Sequence, residues 1–228
     1  MTACSVAEPG AEYHDPYETT NRRVHQFNLA VDETLFGSRK KRGVVPTIPK
    51  PIGTGFINVT SNLGMPSNIL NSLLQLKIGP AMQNTFRFAL NSTIGIGGVF
   101  DPATAMGVPE DSADFGETLH VWGVAEGAYL EAPLLGPTTE RDLVGTIVDI
   151  AIDPLNALVS PSEANYITAA RLVAKASNRQ QFADTFESIL YDSADSYAQA
   201  RLTYLQNRHY SLGIEEDLFD PYEDPYAN

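Results

Sequence analysis

The sequence is short of charge and of cysteine, and it contains no long apolar run. Asp, Glu, Lys and Arg make up 19% of its 228 residues, below the usual share of about 25%, while apolar residues make up 43%. That balance excludes wholesale disorder, because disordered chains combine few apolar residues with high net charge. The single cysteine, Cys4, excludes disulfides within the chain and a cysteine-only metal site. No window of 18 residues is continuously apolar, so the sequence predicts no transmembrane helix.

The sequence motifs of the common enzyme classes are missing as well. The chain has no G-x-S-x-G, no phosphate-binding G-x-x-x-x-G-K-[ST], no H-E-x-x-H and no C-x-x-C. Its four histidines are scattered along the sequence, so we expect neither a metal site nor a cofactor. The chain is therefore expected not to be an enzyme.

Two weaker catalytic alternatives remain open at this stage. Asp149 and Asp153 stand four residues apart on one helical face, and two close carboxylates can divide acid and base roles. A periplasmic hydrolase built on them is one alternative hypothesis, although Asp153 precedes a proline and suits a turn equally well. A triad of Asp111, Ser112 and His120 has no motif to support it.

Charge is unevenly distributed along the chain. The formal net charge of −13 argues against nucleic-acid binding, since such domains are normally basic. No Asp or Glu occurs from Thr34 to Phe100, and residues 34–87 contain seven Lys and Arg. Residues 88–140 contain eight acids and no base, and residues 213–228 contain six acids. Such blocks indicate one surface for an anionic partner and a different environment elsewhere.

Helical periodicity is clearest near the two ends. Apolar residues recur at spacings of three and four in a first helix, which is expected to start at Thr19 or Thr20 and to stop at Gly37: Val24, Phe27, Val31 and Leu35. Near the other end, Thr139 and Ser160 each stand before a helix as N-caps, and Pro161 and Glu163 reinforce the second start. Three further helices are expected over 161–176, 179–191 and 194–210.

The middle of the chain is rich in glycine and proline and less regular. Residues 43–66 are expected to form a connector with a short strand over 55–59. A leucine-rich helix is expected from Pro66, broken at Gly79-Pro80, with another helix ending at Gly95. Residues 115–136 fit a helix, a short hairpin or a loop equally well. The fold class predicted from these patterns is mainly α.

The same middle segment holds the candidate lipid contacts. Aromatic and leucine side chains interleave there with glycines, and Trp and Tyr favour a lipid interface; the candidates are Phe86, Phe88, Trp122, Tyr129, Leu134 and Leu135. The alternative is that they are ordinary core residues. A basic run is the candidate for contact with lipid headgroups, with a solvated loop as its alternative: Arg39, Lys40, Lys41 and Arg42.

Three stretches together resemble the MlaA (VacJ) outer-membrane lipoproteins of Gram-negative bacteria. They are DPYETTNRRVHQFNLAVD from Asp15, FRFALNSTIGIGGVFDPA from Phe86, and GETLHVWGVAEGAYLEAPLLGPTTERDLVG from Gly116. The closing helix, with its Tyr204–Arg208 segment, is similar as well. The resemblance runs in the right order from Asp15 to about Tyr210.

This resemblance implies a lipoprotein anchored through Cys4, on the periplasmic face of the outer membrane. The family fold is a single ring-like helical domain in the inner leaflet, here residues 18–212, after a lead-in of residues 1–17. Residues 213–228 combine six acids with two prolines and are expected, from composition alone, to form a disordered acidic tail. The implied function is to extract mislocalised phospholipid from the outer leaflet through an amphipathic channel. The implied partners are phospholipid, a trimeric porin and the periplasmic carrier MlaC.

Two departures from the family pattern accompany the resemblance. The sequence is expected to start after the family's signal peptide, and Met1 stands where an aliphatic residue usually precedes the anchor. The core motifs do not account for the acidic tail. A structural lipoprotein that binds a porin without moving lipid stays open as an alternative to lipid transfer.

Overall fold

A computed structural model describes residues 14–38, 41–157 and 159–214. Within these residues the chain is mainly helical, which confirms the predicted fold class. The expectations for Cys4, Arg39, Lys40 and residues 215–228 lie outside the described residues.

The described residues include helices of 16 to 25 residues, shorter helices and two two-stranded antiparallel sheets. In order they are α1 (Glu18–Phe36), β1 (Gly37–Ser38), β2 (Lys41–Arg42), α2 (Lys50–Leu74), α3 (Ile78–Thr93), α4 (Pro102–Ala105), α5 (Phe115–Val121), β3 (Tyr129–Ala132), β4 (Gly136–Thr139), α6 (Glu140–Ile152), a 3-10 turn (Pro154–Ala157), α7 (Pro161–Gln181), α8 (Ala183–Glu187), a π-helical turn (Ser188–Asp192) and α9 (Ser196–Leu212).

Helix α1 ends where predicted but starts differently. Gly37 closes the helix with φ of 83°, a conformation that glycine adopts without strain. The predicted Thr cap is wrong, because Tyr17 takes the N-cap position and makes no side-chain capping bond. The buried side chains of α1 are polar: Asn21 donates to the Tyr129 carbonyl oxygen, and His25 lies 3.3 Å from Glu131.

The predicted connector over 43–66 is wrong, because most of it belongs to α2. The helix passes through its glycines and continues beyond Pro66. A Cβ at Gly53 would lie 2.8 Å from the Ser177 Oγ, so glycine there allows α2 and α7 to approach closely. Packing of α2 against α3 and α7 outweighs the weak helix propensity of these residues.

The ambiguous segment 115–136 contains a helix followed by a hairpin. Helix α5 starts after Asp114, whose carboxylate accepts from the Glu117 amide at 2.7 Å. Strands β3 and β4 then pair antiparallel, with Tyr129 opposite Thr139. Thr139 accepts from the Asp142 amide at 3.3 Å, which confirms it as the N-cap of α6.

The C-terminal helices confirm one predicted start and revise the lengths. Ser160 and Glu163 form the complete capping box of α7, which runs unbroken to Gln181 and past the predicted stop at 176. The predicted helix over 179–191 is instead the end of α7, the short α8 and the π-helical turn. Helix α9 closes the described fold and carries two of the three residues of the main apolar cluster, Tyr197 and Leu205, which pack with Tyr129.

Ion pairs on α9 fasten that helix to earlier parts of the chain. Arg208 donates to Asp142 at 2.8 Å and to Asp114 at 2.7 Å, while Arg201 donates to Asp15 at 2.6 Å. Burial alone would raise the pKa of Asp142, but hydrogen bonds from Arg208 and Tyr204 outweigh it and lower that pKa. These pairs join the two ends of the sequence around the β3–β4 hairpin.

Candidate functional site

A pocket with a volume of about 860 Å³ lies between α1, α7 and the tip of the β3–β4 hairpin. We call it the α7 pocket. That volume is near the upper end for ligand-binding cavities, which span roughly 300–1,000 Å³. Most of its exposed lining is apolar, with lining residues that include Leu29, Val31, Leu35, Phe36, Leu134, Leu135 and Leu172. The pocket therefore has a mainly apolar wall with a few polar and charged side chains in its lining.

Helix α7 contributes a row of three basic residues to the pocket. Arg171, Lys175 and Arg179 are spaced four residues apart and line the same cavity because that spacing places side chains on one helical face. Their charges are compensated to different degrees. Arg171 is half-exposed and lies 3.4 Å from Asp153, so it is only loosely paired.

Arg179 is buried and fully engaged. Its Nε and Nη2 donate to the two carboxylate oxygens of Asp32, both at 2.8 Å, and its guanidinium lies 4.7 Å from the ring centre of Phe186. Burial would lower the pKa of Arg179, but the hydrogen bonds and charge of Asp32 outweigh it and raise that pKa. Tyr191 donates to the same carboxylate at 2.9 Å. Arg179 therefore joins α7 to α1 and has no free charge to offer a ligand.

Lys175 differs from its two neighbours in the row. Its Nζ donates to the Leu134 carbonyl oxygen at 3.1 Å, and no carboxylate of the described residues lies within salt-bridge distance of it. The ammonium is exposed at the rim, beside the hairpin tip. Its positive charge is thus available to an anion at the mouth of an apolar cavity.

The wall opposite α7 is held by Asn28 and Glu131. The Asn28 amide donates to Glu131 Oε1 and to the Ala132 carbonyl oxygen, both at 3.1 Å, and its Oδ1 accepts from the Leu134 amide at 2.8 Å. Glu131 also accepts from the Tyr129 hydroxyl at 2.7 Å. These bonds fix the hairpin tip against α1 and so set the width of the pocket.

The structure separates the predicted lipid contacts into three places. Leu134 and Leu135 line the α7 pocket, and each is more than 60% exposed. Phe86, Phe88 and Trp122 lie elsewhere, with Phe86 and Trp122 about half-exposed on the outer surface.

Tyr129 occupies the third place. It is 1% exposed and packs with Tyr197 and Leu205. Its hydroxyl donates to the buried carboxylate of Glu131, so the polar end of the side chain is satisfied in the interior. It is therefore a core residue and is not available for lipid contact.

The described part of the basic run forms the short strand β2. Lys41 and Arg42 are both exposed, and the Lys41 ammonium lies 3.6 Å from Glu33. They do not line the α7 pocket. Their contact with headgroups stays a prediction.

Sequence reasoning missed the basic row on α7 and its partners on α1. The signal was present, because Arg171, Lys175 and Arg179 follow the i, i+4, i+8 spacing of one helical face. Nothing in the local sequence indicated that Asn28 and Asp32, more than 100 residues away, would face that row. Such pairings depend on tertiary packing.

Helices α2 and α3 form what we call the α2–α3 hairpin (Lys50–Thr93), in which polar side chains outnumber apolar ones in the interior. The polar side chains under 5% exposed are Asn62, Asn71, Ser72, Asn84, Arg87 and Asn91, and the apolar ones are Met65 and Ala81. Large apolar side chains face outward instead, including Leu73, Ile78, Met82 and Phe86, all at least 46% exposed. Exposed apolar surface of this extent is typical of contact with lipid or another protein.

The carboxylates of the hydrolase alternative have structural partners. Asp149 accepts from the Asn71 amide at 2.7 Å and from the Phe115 backbone amide at 2.8 Å. Asp153 accepts from the Leu155 amide at 3.0 Å and lies near Arg171. Both roles match the turn and cap alternative better than acid–base chemistry.

His120 of the proposed triad lies beside a cation. Its Nδ1 is 3.4 Å from Arg141 Nη1. Burial and then the charge of Arg141 lower its pKa. Among the described residues no cluster of three His, Cys, Asp or Glu side chains is arranged to hold a metal ion.

No described helix is long and apolar enough to cross a membrane.

Comparison with known proteins gives a family match over most of the chain. The family profile described as MlaA lipoprotein matches residues 13–211. The intermembrane phospholipid transport system lipoprotein MlaA of Escherichia coli K12 is 31% identical over 217 residues, covering 93% of this chain and 83% of that protein. The Rickettsia prowazekii protein RP093 is 31% identical over 223 residues, covering 92% of this chain and 82% of that protein.

One solved structure has the same fold. It was described as the structural basis for maintenance of bacterial outer membrane lipid asymmetry, and it aligns with a TM-score of 0.69 and 26% identity. The alignment covers 87% of this chain and 98% of that chain.

Proposed function

This chain belongs to the MlaA lipoprotein family, and from that premise we propose that its α7 pocket carries a phospholipid during transport between membranes. Intermembrane phospholipid transport is the general role for which its curated relatives are named. The observation that carries the proposal is the pocket itself, which has an apolar lining and an uncompensated lysine at its rim.

A phospholipid needs two kinds of surface, and the pocket offers both. Its acyl chains gain from contact with the lining leucines, since each buried CH₂ contributes about 0.8 kcal/mol. Its phosphate is an anion and suits Lys175, whose hydrogen-bond acceptor is a neutral carbonyl oxygen. Leu134 and Leu135 line the same cavity next to that ammonium. The headgroup would then stay at the rim while the chains enter the cavity.

Proteins of the MlaA lipoprotein family are associated with the outer membrane. We propose an acyl anchor on Cys4 and a body lying in the inner leaflet, with the α2–α3 hairpin as its lipid-facing part. A single acyl chain binds membranes weakly, so a second contact is required for stable attachment. The outward apolar side chains of the hairpin supply it, and the basic run from Arg39 to Arg42 faces the headgroups.

The remaining steps are proposed from family membership rather than from contacts in this chain. Mislocalised phospholipid leaves the outer leaflet next to a trimeric porin, passes through the α7 pocket and is taken up by the periplasmic carrier MlaC. This route would maintain the lipid asymmetry of the outer membrane. The chain acts in it as a conduit and performs no covalent chemistry.

The direct test compares Lys175→Gln with Lys50→Gln, an exposed lysine at the start of α2 that does not line the pocket. We expect Lys175→Gln to lower phospholipid extraction from fluorescently labelled vesicles about tenfold, the loss of one charge-assisted hydrogen bond. Leu135→Glu, which places a carboxylate in the apolar lining, should lower it further. Lys50→Gln should behave as the unaltered chain.

Equal extraction by all three variants would refute the pocket as the lipid path. In that case, porin binding that survives without restored lipid asymmetry would favour the structural lipoprotein alternative.

A further inference from the structure

Three residues other than glycine have left-handed backbone conformations in the described chain. They are Leu76 with φ of 60°, Ile96 with φ of 55° and Leu134 with φ of 64°. Glycine fills every other left-handed position of the described residues. This preference is expected, because a Cβ in that conformation is forced close to the backbone carbonyl oxygen. The three exceptions are all large aliphatic residues.

Leu76 and Ile96 occupy the same position at the ends of the two long helices of the hairpin. After α2, the Leu76 amide donates to the Leu73 carbonyl oxygen at 3.0 Å, and the Lys77 amide donates to Ser72 at 2.9 Å. This pair of bonds is the Schellman motif, in which the left-handed residue is usually glycine.

The end of α3 repeats this arrangement. The Ile96 amide donates to the Thr93 carbonyl oxygen at 3.4 Å, and the Gly97 amide donates to Ser92 at 3.0 Å. Isoleucine is the harder case, since a β-branched residue at positive φ is a genuine outlier. A glycine at either position would relieve the backbone.

The fold itself gains little from these two side chains. Leu76 is 83% exposed and Ile96 is 67% exposed. Their neighbours are also apolar and outward: Ile78 is 55% exposed beside Leu76, and Ile94 is 69% exposed beside Ile96. Each of the two helices thus ends in a residue that is disfavoured at positive φ and whose apolar side chain is exposed on the protein surface.

The surroundings of Leu76 indicate what covers it. The Trp122 indole donates to the Leu74 carbonyl oxygen at 3.3 Å, two residues before Leu76, and is itself 54% exposed. Trp favours the boundary between hydrocarbon and headgroups. The sequence from Thr34 to Phe100 contains no Asp or Glu, and Glu117, which reaches the hairpin next to Leu76, is neutralised by Lys77 at 2.6 Å. The polar interior and apolar exterior of the hairpin suit a lipid solvent better than water or a mixed protein surface.

We propose that Leu76 and Ile96 are insertion points, through which both ends of the α2–α3 hairpin enter the apolar layer of a phospholipid surface. The inference rests on the proposed membrane location and adds which residues make the contact. Leu134, the third residue with positive φ, lines the α7 pocket. We leave it unchanged in the test, so that membrane binding and lipid extraction are measured separately.

The test uses the full chain, without an acyl anchor, and vesicles of phosphatidylethanolamine and phosphatidylglycerol. Two double variants remove the aliphatic side chains: Leu76→Gly with Ile96→Gly, and Leu76→Asn with Ile96→Asn, since Asn also tolerates left-handed backbone. We expect vesicle affinity to fall about tenfold per side chain and about 100-fold in each double variant. The melting temperature in vesicle-free buffer should rise or stay the same.

A matched control removes exposed apolar surface elsewhere. Tyr166→Asn with Tyr210→Asn changes two side chains that are 77% and 86% exposed on α7 and α9, and its vesicle affinity should match that of the unaltered chain. Unchanged affinity of the Leu76 and Ile96 variants would overturn the proposal, as would equal losses in the control. A lower melting temperature in both double variants would show that the side chains support the fold instead.

Failure of the membrane location itself gives a different result. If the unaltered chain does not bind the vesicles at all, the proposed function fails together with the insertion points. If the unaltered chain binds and extracts lipid while the double variants bind equally well, only the insertion points are refuted. Normal vesicle binding with lost porin binding would assign the two side chains to a protein contact, again against the proposal.

Discussion

The α2–α3 hairpin and the α1–α9 region, by which we mean α1, the β3–β4 hairpin and α9, both bury polar side chains but differ in their apolar residues. The hairpin buries Met65 and Ala81 beside asparagines, a serine and Arg87, and it exposes large apolar side chains on its outer face. The α1–α9 region encloses a cluster of Tyr129, Tyr197 and Leu205 beside buried polar groups and ion pairs. The proposed contact of the hairpin with lipid would account for this difference, because burial of apolar surface drives folding in water.

The two regions are therefore stabilised by different interactions. In the hairpin, hydrogen bonds between buried polar side chains connect the elements, and the apolar outer faces of the helices add no stability in water. In the α1–α9 region, aromatic packing and arginine–carboxylate pairs provide the connection. Substitutions should therefore have different consequences in the two regions.

The largest loss of stability is expected from Asp142→Ala in the ion-pair cluster of α9. Removing this buried carboxylate leaves Arg208 with Asp114 alone and takes away the acceptor of the Tyr204 hydroxyl. Breaking a buried pair from one side costs about 3–5 kcal/mol. Denaturant unfolding of the purified chain measures this loss. Tyr204→Phe is the milder control, and an equally large loss there would assign the effect to the tyrosine bond.

A smaller loss is expected from Asn91→Ala inside the hairpin. The Asn91 amide donates to Asp101 at 2.9 Å, and its Oδ1 accepts from the Ala103 amide at 3.2 Å. Losing these two hydrogen bonds in a buried site costs about 1–3 kcal/mol in unfolding free energy. Asn91→Leu, which fills the space without the hydrogen bonds, should not restore it. Recovery of stability by Asn91→Leu would mean that packing, not polarity, holds this interior.

Acid should weaken the interior of the hairpin through Asp101. Burial would raise the pKa of Asp101, but hydrogen bonds from Thr104, Asn91 and Arg87 outweigh it and lower that pKa from 3.8 to about 2. A carboxyl group whose folded pKa is depressed stabilises the fold above its unfolded pKa, and this contribution is lost as pH falls toward 2.

The melting temperature should therefore drop between about pH 4 and pH 2, and thermal scans across that range would detect it. Asp101→Asn keeps an N-cap residue for α4 and removes the titration, so its decline over the same range should be shallower. Parallel curves for the two chains would exclude Asp101 as a source of the acid sensitivity.

The smallest effect on stability is expected from Met82→Gln on the outer face of α3. Met82 is 69% exposed, so unfolding in water should change by less than about 0.5 kcal/mol. The concentration of detergent needed to keep the chain soluble should fall. A loss of several kcal/mol would show that this face packs against the fold, and the contrast between the two regions would then disappear.

The sequence predicted the ends of elements better than the middle of the chain. Gly37 and Ser160 act through local chemistry, a positive φ and a capping box, and both were predicted correctly. The part of α2 before Pro66 was missed, because its glycines and prolines indicate a connector locally. Its helical state depends on packing against α3 and α7, with Gly53 pressed against Ser177.

The candidate site was predicted only in part for the same reason. Leu134 and Leu135 were identified from an apolar, glycine-rich segment, and both line the α7 pocket. Tyr129 belongs to the same segment but lies in strand β3 and packs in the core, whereas Leu134 and Leu135 lie in the turn between β3 and β4. The row from Arg171 to Arg179 was visible as a spacing, whereas its pairing with Asp32 depends on contacts across the fold.

The central claim is that the end of α2 faces lipid while α9 faces water, and the single tryptophan of the chain allows one direct measurement. Trp122 lies against the last turn of α2, and Trp122→Phe with Tyr210→Trp moves the fluorophore to an 86% exposed position on α9. With the chain bound to vesicles, brominated phospholipid should quench the native tryptophan strongly and the relocated one weakly, and aqueous acrylamide should do the reverse. Equal quenching of the two by brominated lipid, or stronger quenching of the relocated tryptophan, would contradict the account.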